Sequence, residues 1–276
     1  MEVIGFRLLS SLPESSNLVP VHGHHDMWLV LLAYLVACAG SYIPLTLAER
    51  VALLQRPSVR VLMMFTGGLC LAGGIWSMHF IGMLALEMPI AIDYDLSTTA
   101  LSLLLALLAS VLAMYHLCHP NPTLLRQVGA ACIIGLGITS MHYCGMASII
   151  SEATLYYHGG LLFASLIVAI VASLGAILLA QYLQRHAHHT KAWMKYLAVM
   201  VMGAAITSMH FTGMAALHFM IPADQPLNGN SQDNALLMSL LVAALALLII
   251  SLGQGVAWIN RRLDKMSATC IRCSRC

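Results

Sequence analysis

The chain has 276 residues, of which 60% are hydrophobic and 9% charged, with a formal net charge of +2. A soluble domain carries about 25% charged residues, so a water-soluble fold able to hide this much apolar surface is excluded. The near-neutral balance provides no basic face for nucleic acid, whose phosphates would demand one.

Residues 1–26 contain Glu2, Arg7, Glu14 and Asp26 and no apolar run long enough for the core of a signal peptide, so they are expected to form an exposed outer leader. Seven stretches free of Asp, Glu, Lys and Arg then follow, running approximately from Met27 to Leu47, Val61 to Leu86, Leu96 to Leu117, Val128 to Ile150, Leu161 to Tyr182, Tyr196 to Phe219 and Ala235 to Ile259. Each is long enough for the roughly 20 residues that cross a bilayer as a helix. Helices are the physical choice, because an open strand would leave its backbone amides unpaired in hydrocarbon. The expected fold is therefore an all-α membrane protein of seven transmembrane helices spanning 27–259, with a short basic tail over 260–276.

Twelve of the thirteen basic residues fall in the leader-distal connections and the tail: Arg50, Arg56 and Arg60; Arg126; Arg185, Lys191 and Lys195; Arg261, Arg262, Lys265, Arg272 and Arg275. Basic residues are retained on the cytoplasmic side, which predicts an N-terminus outside and a C-terminus in the cytoplasm.

The second, fourth and sixth stretches share a hexapeptide: Met78-His79-Phe80-Ile81-Gly82-Met83, Met141-His142-Tyr143-Cys144-Gly145-Met146 and Met209-His210-Phe211-Thr212-Gly213-Met214. A serine precedes each copy (Ser77, Ser140, Ser208). The histidines are 63 and 68 residues apart, one two-helix hairpin each time, so the chain reads as three tandem hairpins followed by a lone seventh helix. All three copies then run in the same direction and place their histidines at one depth, near the outer face.

At 3.6 residues per turn, His79 shares a helix face with Met83, His142 with Met146, and His210 with Met214. Gly82, Gly145 and Gly213 remove a side chain beside that face, letting a neighbouring helix or a ligand approach closely. Met78, Met141 and Met209 point about 100° away from the histidines and read as wall residues. An ionisable residue inside a membrane span is a functional hypothesis by default. Imidazole with thioether and no intramembrane carboxylate is a soft ligand set, which favours copper, particularly Cu(I), over magnesium or calcium. Cys144 would add a softer donor still. Packing alone does not require the same hexapeptide three times, although a single membrane histidine usually serves only as a hydrogen-bonding tie between helices.

These residues resemble the MHYT domain, a bacterial integral membrane sensor module named for its Met-His-Tyr-Thr motif. The resemblance covers roughly residues 20–260 and includes His24-His25-Asp26 before the first span and Ser41-Tyr42 near its end. It implies a seven-span protein of the bacterial cytoplasmic membrane whose motif His and Met residues lie near the outer face. It further implies copper binding and the sensing of oxygen, carbon monoxide or nitric oxide. Only the third copy keeps Thr (Thr212), beside Phe211; the second has Tyr143 and then Cys144, and the first has neither. Relatives attach the module to domains that make or degrade cyclic di-GMP. The 17 residues after Ile259 leave no room for such a domain, so output is expected to pass to a cytoplasmic cyclic di-GMP signalling partner in trans. A copper transporter or chaperone, a haem protein using two of the histidines, and a structural membrane protein are the alternatives to the sensor.

His22-Gly23-His24-His25-Asp26 is placed to cap the site or pass metal to it, and His158 and His218 lie near the same surface. His186, His188 and His189 read as an interfacial loop. Cys270, Cys273 and Cys276 have a metal-like spacing but no fourth ligand, and their basic neighbours suit anionic lipid. The cysteines do not suggest a disulfide framework. No nucleophile with its base, phosphate loop or carboxylate pair appears, so the chain is not expected to be an enzyme.

Overall fold

The computed structural model describes residues 7–9, 17–51, 56–119, 122–186, 192–223, 238–249, 251–252 and 255. Among the described residues six helices are long and apolar enough to cross a membrane: α1 (Met27–Val51), α2 (Pro57–Leu84), α3 (Leu96–Leu117), α4 (Leu124–Ala147), α5 (Gly159–Arg185) and α6 (Ala192–Ala215). The stretch expected as a seventh span is described as the shorter apolar helix α7 (Met238–Ile249) and at 251–252 and 255; its other residues and the Cys270 to Cys276 tail lie outside the described residues. Away from the motif the helices overrun the charge-free stretches. α1 continues through Glu49, and α2 begins at Pro57, a residue suited to a first helical position, and includes Arg60. Charged helix ends reach polar surroundings that the hydrocarbon-matched stretch does not.

Among the described residues eight short strands, which an all-α expectation does not include, gather at the other end of the helices. They are β1 (Arg7–Leu8), β2 (Leu18–Val21), β3 (His24–His25), β4 (Leu86–Glu87), β5 (Asp93–Tyr94), β6 (Ile149–Ile150), β7 (Thr154–Tyr157) and β8 (Leu217–Pro222). β3 pairs with β4, β5 with β6, and β7 with β8, all antiparallel. Each pair joins the residues entering an odd-numbered helix to those leaving the next even-numbered one. The same backbone hydrogen bond recurs at each junction: the amides of Asp26, Asp95 and His158 donate to the carbonyls of Ala85, Ser148 and Ala216, each at 2.8 Å. Carbonyls just beyond a helix end lack intrahelical partners, and these bonds satisfy one at the same point of every hairpin. β1 and β2 widen the third pair into a sheet of order β1-β7-β8-β2.

Consecutive helices pack side by side from α1 to α6, α6 returns to α1, and α2, α4 and α6 also touch one another. The motif helices therefore form an inner group. Close approach depends on small residues: a Cβ on Gly40 of α1 would overlap the Cα of Gly74 of α2, the small-residue contact favoured between membrane helices. Leu62, Phe65, Leu104, Leu108, Val171 and Val201 are exposed, giving the outer surface the apolar character that suits lipid.

Candidate metal centre

His79, His142 and His210 each lie five residues before the last residue of their helices, Leu84, Ala147 and Ala215. At 1.5 Å per residue this puts all three about 7–8 Å inside the strand-capped end. The inner position of α2, α4 and α6 turns that common depth into convergence. All three histidines are 0% exposed, and one ligand atom from each lies within 4.8 Å of the others. Nδ1 of His79 is 3.1 Å from Nδ1 of His210 and 3.1 Å from Nδ1 of His142. The ring centroids stand 4.8, 5.1 and 5.2 Å apart, with planes inclined at 75° to 86°, so the imidazoles surround one point like the blades of a propeller.

The motif glycines make this possible in a cyclic way. Nε2 of His79 occupies the position of an absent Cβ on Gly145, Nε2 of His142 that on Gly213, and Nε2 of His210 that on Gly82. Each motif helix thus holds the imidazole of another against its glycine. The sequence spacing foresaw a close approach at these glycines, and the approaching group is the neighbouring motif histidine.

Hydrogen bonding alone does not balance this cluster. A neutral imidazole nitrogen carries either one proton or one in-plane lone pair, so Nδ1 of His79 serves one of its two neighbours well and leaves the other poorly served. All three Nε2 atoms are buried without a hydrogen-bond partner among the described residues, an arrangement that costs free energy when uncompensated. Two nitrogens bound to one metal at about 2.0–2.1 Å lie roughly 3–3.5 Å apart, and the 3.1 Å spacings fit that requirement.

The thioethers are buried with the imidazoles. Met83, Met146 and Met214 are 4%, 0% and 7% exposed and share one apolar cluster with Met78 and Met141. Met209, 2% exposed, completes the six motif methionines. Cys144 turns elsewhere, its Sγ donating to the Thr98 carbonyl at 3.6 Å, and the described His, Cys, Asp and Glu side chains yield no metal-competent cluster that includes it. Tyr143 bonds Ser165 through its hydroxyl at 2.8 Å, while Thr212 donates to the Ser208 carbonyl of its own helix at 2.7 Å. The two residues that give the motif its later letters therefore serve packing here.

At the capped end, His25 meets Phe211 edge-on at 5.7 Å, and Phe211 in turn packs on His210 at 4.9 Å. His24 pairs with Glu87 at 2.9 Å on an exposed surface. His158 caps α5, accepting from the Leu161 amide, and His218 lies opposite Tyr156 in the sheet. Of the histidines proposed near this surface, only His25 approaches the triad, through one aromatic ring. His186 donates its Nδ1–H to the Tyr182 carbonyl at the far end of α5, and His188 and His189 lie outside the described residues.

One feature around the triad went unread in the sequence. Ile75, Ile138 and Ile206 each precede a motif histidine by four residues, and Leu71, Ile134 and Met202 precede it by eight. All six line one cavity deeper in the bundle. Aligning the three copies beyond the hexapeptide would have revealed the recurrent isoleucine.

The family model MHYT, described as a bacterial signalling protein N-terminal repeat, matches residues 73–130, 135–191 and 203–259. Each match opens inside a motif helix and runs through the helix that follows. The chain is 42% identical over 238 residues to the cyclic di-GMP phosphodiesterase NbdA of Pseudomonas aeruginosa, covering 86% of this chain and 30% of that protein. It is 36% identical over 240 residues to the bifunctional diguanylate cyclase/cyclic di-GMP phosphodiesterase MucR of the same organism, covering 87% and 35% respectively. With the signaling protein YkoW of Bacillus subtilis it shares 31% over 201 residues, covering 72% and 25%. The chain thus spans about a third or less of the length of these relatives. No solved structure matches it. With three copies of the repeat and six helices fit to cross a bilayer, the chain is a multi-pass membrane protein and belongs to the MHYT family of bacterial signalling proteins.

Proposed function

We propose that this chain is the sensing module of a bacterial signalling system of the cytoplasmic membrane. In this reading His79, His142 and His210 hold a soft metal ion, copper, with Met83, Met146 and Met214 as supporting donors. The observation that carries the proposal is the convergence of three buried Nδ1 atoms that hydrogen bonds alone do not satisfy. When bound, copper would supply a redox-active centre able to take oxygen, carbon monoxide or nitric oxide. The chain's own part is to fix three ring orientations through the glycine contacts, to exclude water by complete burial, and to link the centre to α2, α4 and α6 at once. A ligand acts as a signal only by favouring one of two arrangements of the bundle, and a centre shared by three helices is placed to feel such a change.

The finer architecture belongs to the same proposal: seven spans, three hairpin repeats and a last helix, N-terminus outside and C-terminus in the cytoplasm. The recurrent strand clips support the hairpin frame, and the basic connections support the orientation. The two Pseudomonas relatives named as cyclic di-GMP enzymes point to cyclic di-GMP turnover as the output, through a cytoplasmic partner. This chain is proposed to sense and not to catalyse.

Haem between two of these histidines is disfavoured by their spacing. Axial nitrogens on opposite faces of one iron lie about 4 Å apart, twice a metal–nitrogen bond of about 2.0 Å, with a macrocycle between them; here two contacts are 3.1 Å. The test is metal analysis and an absorption spectrum of the detergent-purified protein beside a His79→Ala, His142→Ala, His210→Ala triple variant. Copper near one per chain in the parent and absent from the variant is expected. Equal copper in both removes the site, and a Soret band replaces copper with haem. Copper flux into proteoliposomes would turn the sensor into a transporter.

A further inference from the structure

Beneath the triad, on the side away from the strands, the bundle forms a partly open cavity of about 70 Å³. Its ceiling is Ile75, Ile138 and Ile206, one turn or about 6 Å along the helices from the three histidines. The void has a plain cause in α5, which lines it with four small residues, Ala169, Ala172, Ser173 and Ala176, beside one large one, Ile177. The four small residues recur at the three- and four-residue spacing of one helix face and are too small to reach the isoleucines, leucines and methionines opposite.

The chemistry of the walls restricts the occupant. Ser173 is the one hydroxyl among the lining side chains. A buried water is held by two to four polar partners, whereas apolar cavities stay dry and take up benzene or xenon, as an engineered void of about 150 Å³ does. At roughly half that volume, this cavity is too small for benzene with room to spare and large enough for a diatomic or a single heavy noble-gas atom.

We infer that this cavity is a binding site for small uncharged apolar gases, a reservoir that holds such a molecule one helical turn from the histidine cluster. It deepens the sensor reading above, on which the identity of its physiological occupant rests. The site is separate from the proposed metal ligands, because none of the three histidines lines it. Oxygen, carbon monoxide and nitric oxide partition from water into hydrocarbon, so an apolar chamber within the membrane-spanning part meets them at their higher concentration. The ring of isoleucines stands between the chamber and the imidazoles.

Xenon is the probe. The parent protein in lipid nanodiscs, compared with empty nanodiscs, is expected to give a distinct protein-bound 129Xe resonance that saturates with xenon pressure. Ala172→Leu fills the void from α5 and is expected to reduce that signal at least tenfold while copper content and helix content stay at the parent level. Ala176→Leu is the second variant should the first fail to fold. The same residues would surround the xenon atom in crystals pressurised with the gas. A parent signal equal to that of empty nanodiscs overturns the inference, as does an undiminished signal in a folded cavity-filling variant, or a lipid or detergent chain found in the chamber. Xenon bound in a parent that carries no copper leaves the cavity standing and removes the metal reading alone.

Discussion

Gly145 and Gly129 lie on one helix, yet a methyl group added to each meets opposite surroundings. At Gly145 it would strike Nε2 of His79, and at Gly129 it finds nothing within 4 Å. Gly145→Ala is therefore expected to lose about 1–3 kcal/mol through overpacking and to lower the metal content. Gly129→Ala should gain up to about 1 kcal/mol from helix propensity and keep its metal. Thermal unfolding in detergent with metal analysis of both variants checks the pair, and equal behaviour would mean that the glycine contact does not shape the centre. The methionines permit a sharper chemical test. Met83→Leu, Met146→Leu and Met214→Leu together roughly conserve volume, so each should cost under about 1.5 kcal/mol. If the thioethers are donors, Cu(I) affinity falls at least tenfold and zinc affinity much less, because softness is what the sulfur adds. The histidines and glycines were legible from their triple recurrence. The direction of Cys144 was not, since spacing along one helix does not say which side faces the neighbours.

At the scale of elements, the connections at the strand-capped end carry a pH signature. The Asp95 carboxylate caps α3, accepting from Ser97 Oγ at 2.6 Å, Thr98 Oγ1 at 2.6 Å and the Thr98 amide at 2.8 Å. These bonds, the Ser97 hydroxyl first, hold its pKa down to about 2, below the ordinary value of about 3.9. A lowered acid pKa stabilises the folded form above the unfolded value, and the contribution fades as pH falls from about 4 toward 2. Amide exchange in the first turn of α3 should accelerate, relative to the intrinsic rate, over that window in the parent and show no such transition in Asp95→Asn. Between α4 and α5, Gln127 donates to Gln181 at 2.6 Å, both side chains buried. A double-mutant cycle to leucine should show coupling of about 0.6 kcal/mol and not above about 1.7 kcal/mol, as for other membrane interhelical hydrogen bonds. The helices were readable because hydrocarbon demands long uncharged runs. The strands were not, because segments of two to six residues carry little periodicity and pair across two intervening helices.

For the whole molecule, the closure of α6 onto α1 makes the bundle a ring. Lys195 of α6 pairs with Glu49 of α1 at 2.6 Å, and Tyr42 stacks on Tyr196 at 6.2 Å, both away from the motif end. A metal shared by three inner helices would stabilise only the closed arrangement. Stripping it with a membrane-permeant soft-metal chelator is expected to lower the unfolding midpoint of the parent and leave the triple histidine variant unmoved. At free metal 100 times the dissociation constant the difference corresponds to about 2.7 kcal/mol. An unchanged midpoint in a protein shown to release metal would mean that the ion does not bind the bundle together.

Hydropathy and repetition by themselves determined that this chain crosses a membrane, that one motif recurs three times, and that three histidines share one depth. These follow from properties local to each helix: length, charge and distance from an end. Tertiary structure decided that the imidazoles face one another, that each leans on the next helix's glycine, and that an apolar chamber lies below. Those outcomes depend on how α2, α4 and α6 rotate and approach, which is settled by small residues on partner helices far away in sequence.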